Sequence, residues 1–241
     1  MKGAKNDIVR QLQEKILAMQ GFASAAQTIG GSLGIGPLES AFPNSTFPLG
    51  VIHEFLCSSN EQAAASEGFI AGLLSRFIQQ GSVCIWISRS GKLFPSSLNQ
   101  FCIEPDKVVF ISLQTNREIL WAMEEALKCE GLAAVIAELP EIDFAQSRRL
   151  QLATEKSRVT GFVLRNAIAK KGATACTARW QVSHLPSEPG DLPGVGYPRW
   201  QVDLLKVRNG QPGSFQIEWL EDRFMPVITK EYFIRDMERA V

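Results

Sequence analysis

Phosphate chemistry after a first strand needs a short set of residues at fixed spacing. Glycines let backbone N–H groups close round the anion, a Lys supplies charge and a Ser or Thr holds Mg²⁺. Here the loop after the first strand pattern reads Leu56-Cys57-Ser58-Ser59-Asn60-Glu61, with no Gly and no Lys. Neither Lys nor Arg occurs anywhere from Ile16 to Ser75, so no shift of alignment supplies the cation. Glu61 and Glu67 place negative charge near the helix start, which suits the helix dipole and repels phosphate. No Asp or Glu occurs from Gly68 to Ile103, so a carboxylate just beyond the second strand is missing too. Glu138, ending the fourth strand pattern, is the acid placed to face Mg²⁺. Without a nucleotide loop, the expectation for it is water or a local ion pair. Ser90-Gly91-Lys92 has a Gly-Lys pair but lacks the upstream Gly and the following Ser or Thr.

Other chemistry fares no better. There is no G-x-S-x-G elbow. The two histidines, His53 and His184, lie in strand-like runs, which disfavours Ser/His or Cys/His pairs and any clustered zinc site. Glu124/Glu125 and Glu138/Glu141 read as solvated acids. Cys57, Cys84, Cys102, Cys129 and Cys176 are widely spaced without a CxxC, so they read as reduced thiols, mostly of the core. The expectation is no catalytic residue, no metal and no cofactor.

Lys+Arg and Asp+Glu both total 25, which removes any global basic signal for nucleic acid. The balance is uneven along the chain. Gly30 to Ser75 carries acids only, whereas Asp143 to Gln211 is rich in bases. Arg165, Lys170, Lys171 and Arg179 form a possible DNA-facing strip, set against the plainer reading of solvated helix and loop faces.

The elements that position these residues follow from periodicity. Residues 5–20 form an amphipathic helix pattern, with Ile8, Leu12 and Ile16 on its stripe. The longest uncharged run, Ile16 to Leu38, is broken by Gly, Ser, Gln and Thr, so it does not read as a membrane span. The charged start lacks an apolar h-region, which argues against a signal peptide and for the cytoplasm. Strand–helix alternation then begins. Strands are expected at Val51–Leu56, Val83–Ser88, Val108–Leu113, Ala133–Leu139 and Gly161–Arg165. Helices are expected at Asn60–Gln79 (boxed by Ser58 and Glu61), from Thr115 to about Glu130 (boxed by Thr115 and Glu118), and at Phe144–Ser157, with a short one at Leu93–Phe101. After that come consecutive strands near Cys176–His184, Arg199–Arg208, Ser214–Leu220 and Phe224–Ile228. Asn209-Gly210-Gln211-Pro212-Gly213 is a turn between two of them. The fold class is therefore α/β: a mainly parallel sheet flanked by helices, with antiparallel strands on its C-terminal side. The repeated Arg179-Trp180-Gln181-Val182 and Arg199-Trp200-Gln201-Val202 read as two strands with aromatics on one face. At 241 residues one large domain fits. The expected division is an N-terminal helix and linker (1–29), a core (30–222) and a C-terminal strand and tail (223–241). In the tail, Tyr232, Phe233, Ile234 and Met237 are a possible partner contact, or pack back on the core.

Several of these segments resemble the RecA recombinase core. They are Gly30-Gly31-Ser32-Leu33, Phe47-Pro48-Leu49-Gly50-Val51-Ile52-His53-Glu54-Phe55, the Val108–Leu113 and Ala134–Glu138 strands, and Gly161-Phe162-Val163-Leu164-Arg165-Asn166. The Arg-Trp strands, the Asn-Gly-x-Pro-Gly turn and Pro212-Gly213-Ser214-Phe215-Gln216-Ile217-Glu218-Trp219 resemble the ImuA family, a degenerate RecA/SulA relative. The likeness covers about Gly30 to Phe224. It departs from RecA in the lost nucleotide lysine, the lost carboxylate after the second strand, and short segments after Leu139 and Asn166. The resemblance implies a RecA-like core without a working P-loop, and a non-catalytic accessory of SOS-induced translesion synthesis. Implied partners are a Y-family polymerase-like protein and an error-prone replicative-type polymerase. RecA, or a second copy, is implied at the N-terminal helix through Ile8, Leu12 and Ile16. The alternatives are a SulA-like inhibitor of the tubulin-like division protein, or a RecA paralogue with residual ATP binding. SulA-type chains are usually shorter, and the long entry segment and the extra C-terminal strands argue against the first alternative.

Overall fold

A computed structural model describes residues 33–78, 82–89, 91, 93–165, 172–188 and 196–227, with residues 12, 15 and 16 nearer the N-terminus. The strands are β1 (Ile52–Leu56), β2 (Val83–Ser88), β3 (Val108–Ser112), β4 (Leu132–Glu138), β5 (Thr160–Arg165), β6 (Ala178–Leu185), β7 (Arg199–Val207), β8 (Gly213–Leu220) and β9 (Arg223–Pro226). The helices are α1 (Asn60–Phe77), α2 (Asn116–Leu127) and α3 (Phe144–Ser157). Short 3-10 turns cover Gly36–Ala41, Pro43–Ser45, Pro95–Phe101 and Pro105–Lys107.

Among the described residues the nine strands form one sheet, in the order β3-β2-β4-β5-β1-β6-β7-β8-β9. From β3 to β6 every pairing is parallel; β6 to β9 are antiparallel. The mixed α/β architecture thus follows the sequence pattern. β9 continues the same sheet, its Phe224 standing opposite Trp219.

The burial pattern explains the division of labour. β1 and β5 are buried almost throughout, because helices cover both faces of a parallel sheet. α1 packs on one face, where Phe55, Phe69, Trp86, Phe162, Trp180 and Trp200 share a core. α2 and α3 cover the other face, around Ile52, Met123, Leu127, Val135, Leu150 and Val163. β7 alternates instead: Trp200, Val202 and Leu204 point into the α1-side core, and Gln201 and Asp203 point away. On that open face Gln201 and Asp203 bond Ser214 of β8. Trp180 and Trp200 belong to one core, as expected for two strands with aromatics on one face.

His53 sits inside the aromatic core. Its Nδ1 accepts from Trp180 Nε1 (3.3 Å) and its Nε2–H donates to Pro48 O (2.9 Å). Phe47 stacks on the imidazole at 4.6 Å between centroids. Burial lowers its pKa to about 4 despite the Pro48 carbonyl, so the ring is neutral. The loop into β1 turns at Gly50, whose φ of 65° would strain any side chain. A Cβ there would also lie 3.0 Å from Arg158 O.

Thr115 and Glu118 form the expected reciprocal capping box. α1 is capped one residue later than expected, by Ser59, whose Oγ accepts from Gln62 N. Gln62 can reach back along the first turn, which is why Ser58 and Glu61 do not form the box.

Candidate functional site

In an open parallel sheet, ligands bind beyond the carboxyl ends of the strands. The loop from β1 to α1 lies at that edge. Cys57 N donates to Arg165 O (2.9 Å), tying the loop's first residue to β5. Ser58 N and Oγ both donate to Gln62 Oε1, at 2.9 and 2.7 Å. Ser59 Oγ accepts from Gln62 N (3.2 Å), and Ser59 O accepts from Ala63 N (3.0 Å). Gln62 Nε2 then donates to Ser183 Oγ on β6 (3.1 Å). These N–H groups are the kind that would wrap a phosphate, and the loop's own side chains and helix already engage them.

The charge around this loop is acidic. Cys57 Sγ lies 3.4 Å from Ser66 Oγ. Burial pushes its thiol up to about 11, and the Glu67 and Glu138 carboxylates add to the rise against the Ser66 contact. Such a thiol is a poor nucleophile at neutral pH. Of the two expectations for Glu138, standing in water does not hold: it is nine-tenths buried, and its Oε1 accepts from Trp86 Nε1 (3.1 Å).

The opposite face of the same strands carries the cations. Glu54 of β1, fully buried, holds Arg165 Nη1 on one carboxylate oxygen (2.6 Å) and Arg179 Nε on the other (2.7 Å). Thr174 Oγ1 donates to that second oxygen (2.9 Å). Arg179 Nη2 reaches Gly172 O (2.7 Å). Lys206 Nζ and Arg208 Nη2 donate to the carbonyls of Thr174 and Ala175, at 3.1 and 3.2 Å. Ser147 Oγ of α3 receives Ala175 N (2.9 Å). Cys176, beside this cluster, has its thiol raised to about 12 by burial and then by Glu54. The arrangement fixes the stretch from Gly172 to Ala175 that leads into β6. It offers no free acid or base, since both Glu54 oxygens are engaged.

The residues singled out from sequence therefore separate. Arg165 and Arg179 come together, yet their side chains are only 5% and 14% exposed and face Glu54. Parallel pairing of β1 with both β5 and β6 brings the acid between them. In place of a solvent strip, these two arginines form a buried ion cluster. Lys170 and Lys171 lie outside the described residues, as do Ile8, Tyr232, Phe233, Ile234 and Met237. Leu12 and Ile16 are helical and half-exposed, at 54% and 51%. Among the described residues, no group of His, Cys, Asp and Glu could hold a metal ion. No described helix is long and apolar enough to cross a membrane. Sequence reasoning missed Glu54 as the organiser, and Lys206 and Arg208 as its surroundings. The available signal was an acid inside an otherwise apolar, both-faces-buried strand.

Comparison with known proteins locates this architecture. The family model described as cell division inhibitor SulA matches residues 50–161. Cell division inhibitor SulA of Yersinia pestis (strain Pestoides F) is 30% identical over 116 residues, covering 48% of this chain and 68% of the relative. Protein ImuA of Caulobacter vibrioides (strain NA1000 / CB15N) is 31% identical over 200 residues. That alignment covers 78% of this chain and 82% of the relative, so it reaches well beyond the SulA-like segment. The chain belongs to the ImuA family and contains a SulA-like segment.

Proposed function

We propose that this protein is a non-catalytic adaptor of SOS-induced error-prone translesion synthesis, built on a degenerate RecA-like core and working in the cytoplasm. It binds a Y-family polymerase-like partner and works beside an error-prone replicative-type polymerase. The observation that carries the non-catalytic part is the β1–α1 loop. Its Ser58 N and Gln62 N are engaged by Gln62 Oε1 and Ser59 Oγ, and the carboxylates of Glu61, Glu67 and Glu138 lie round it. A nucleotide phosphate there would meet the negative charge of these three carboxylates. Membership of the ImuA family and the resemblance of its strands to RecA support the adaptor role. The test is co-purification with the Y-family polymerase-like protein of the same genome, followed by titration. A stable complex and no ATP hydrolysis are expected. No binding at micromolar concentration, or hydrolysis abolished by a point mutation in the loop, overturns the reading.

The SulA match over residues 50–161 favours one second reading, a contact with the tubulin-like division protein. Division arrest on overexpression, without polymerase binding, would select it. The extension of the ImuA similarity beyond that segment favours the first.

A further inference from the structure

The two ends of the nine-stranded sheet are finished differently. At one end β9 is four residues long, opens with Arg223, closes with Pro226 and follows Glu221 and Asp222. Charge and proline are devices that stop an edge strand from pairing further. At the other end β3 reads Val108-Val109-Phe110-Ile111-Ser112. It has no charge, no Pro and no bulge, and among the described residues it pairs only with β2. Val109 and Phe110, on opposite faces of this edge, are 47% and 37% exposed. Edge backbone groups beside uncovered apolar side chains are what strand addition uses.

The charges flanking β3 choose the occupant. Before the strand stand Glu104 and Asp106, both exposed, with Lys107 reaching Asp106 at 4.0 Å. Beyond its end stand Arg89, which follows Ser88 opposite Ser112, and Arg117 in the first turn of α2. Arg89 Nη2 donates to Asn116 Oδ1 (3.1 Å), which holds it at that end. With Lys107 counted before the strand and Glu118 beside Arg117 after it, the net charge is negative before its start and positive past its end. Antiparallel pairing of two copies sets each acidic end beside the other's basic end, and parallel addition does not. Antiparallel pairing about a two-fold axis is also closed, so it uses up both edges.

We infer that β3 is the interface of a symmetric dimer, formed by antiparallel pairing of β3 with β3 of a second copy. Centred on Phe110, this register puts Val109 opposite the partner's Ile111 and Phe110 opposite the partner's Phe110. α2 of both copies then lies on one face of a continuous sheet. Val109 and Ile111 gain the cross-strand apolar contact that each protomer leaves open. The inference is independent of the polymerase reading, since it concerns self-association alone.

Sedimentation of the full chain over a concentration series tests it, with Val109→Lys and Phe110→Cys alongside. The native chain is expected at twice the monomer mass at micromolar to tens-of-micromolar concentration. Val109→Lys should return it to monomer mass, because two ammonium groups would then flank one short ladder. Circular dichroism and urea unfolding check that this variant is folded; Val109 is half-exposed, so little loss is expected. In the two-fold register the Cα atoms of residue 110 lie about 4.5–5.5 Å apart, within disulfide range. Phe110→Cys should therefore cross-link under mild oxidation beyond a native control, which carries exposed Cys102 and Cys129. A native chain that stays monomeric overturns the inference. So does a dimer that Val109→Lys leaves intact and Phe110→Cys does not trap, as a dimer held by residues 1–32 would.

Discussion

Two buried carboxylates, Glu54 of β1 and Glu138 of β4, stand on the parallel strands either side of β5 and live in opposite surroundings. Glu138 faces the α1 side and accepts from Trp86, near Cys57 and Glu67. Glu54 faces the α3 side and holds two arginines and a threonine. The α1 side is where a nucleotide would lie, and there the β1–α1 loop has the carboxylates of Glu61, Glu67 and Glu138 round it. The α3 side is dense in cations, and there they secure the stretch from Gly172 to Ala175 ahead of β6. The contrast shows that basic residues in a strand-end crevice need not form an anion site. A buried acid among them turns the same residues into a structural clamp, because desolvated guanidinium groups need a counter-charge.

Replacing each acid by its amide separates the two roles, and this carries the largest expected effect. Glu54→Gln leaves Arg165 buried and two guanidinium groups facing a neutral amide, which should cost about 3–5 kcal/mol. Arg165 Nε already lacks a hydrogen-bond partner among the described residues, so the site has little capacity to absorb another unpaired donor. Glu138→Gln keeps an oxygen for Trp86 Nε1 and should cost about 1 kcal/mol or less. Urea unfolding of both variants reads the difference. Equal costs would show that the Glu54 cluster is no more structural than the Glu138 contact.

The neutral core beneath the α1 side should also show itself in the acid range. An unfolded imidazole takes up its proton near 6.5, while His53 resists protonation until about 4. The unfolded state therefore binds more protons between those values, so stability must fall as pH drops through this window and level off below it. The full loss is about 3 kcal/mol from this one ring, taking 1.36 kcal/mol for each pH unit. Urea midpoints at stepped pH, compared between the native chain and His53→Phe, isolate it. The variant should lose part of the slope, along with a pH-independent penalty for leaving Trp180 Nε1 unpaired. Parallel slopes would mean that His53 titrates normally.

What was legible in the sequence follows the range of the interactions. α3 spans the residues expected, Phe144–Ser157, because an Asp143/Gln146 capping box and an apolar stripe lie within one segment. The parallel-then-antiparallel order was legible for the same reason: near-continuous apolar runs give way to alternating ones. Arg165 and Arg179 read as a surface strip because their partner lies 111 and 125 residues away, and only the register of β1 with β5 and β6 brings it between them. Of the two expectations for Glu138, water or a local ion pair, burial removes the first, and its Trp86 contact was not legible because Trp86 stands 52 residues earlier. The one-residue shift of the α1 cap is a local miss. Adjacent Ser58 and Ser59 can each start a helix, and Gln62 decides between them.

That cap gives the smallest effect and the sharpest check on the empty side of the comparison. Ser59→Ala removes the acceptor for Gln62 N and should cost about 1 kcal/mol. It also frees an N–H at the start of α1, the kind of donor a phosphate uses. If occupied donors alone kept nucleotide out, Mg²⁺–ATP should raise the melting temperature of Ser59→Ala and leave the native chain unmoved. If charge decides, neither protein should shift, because Glu61, Glu67 and Glu138 remain and no cation has been added. We expect no shift in either. A shift confined to Ser59→Ala would move the cause from electrostatics to the closed loop, and a shift in both would return the β1–α1 crevice to the nucleotide-binding class.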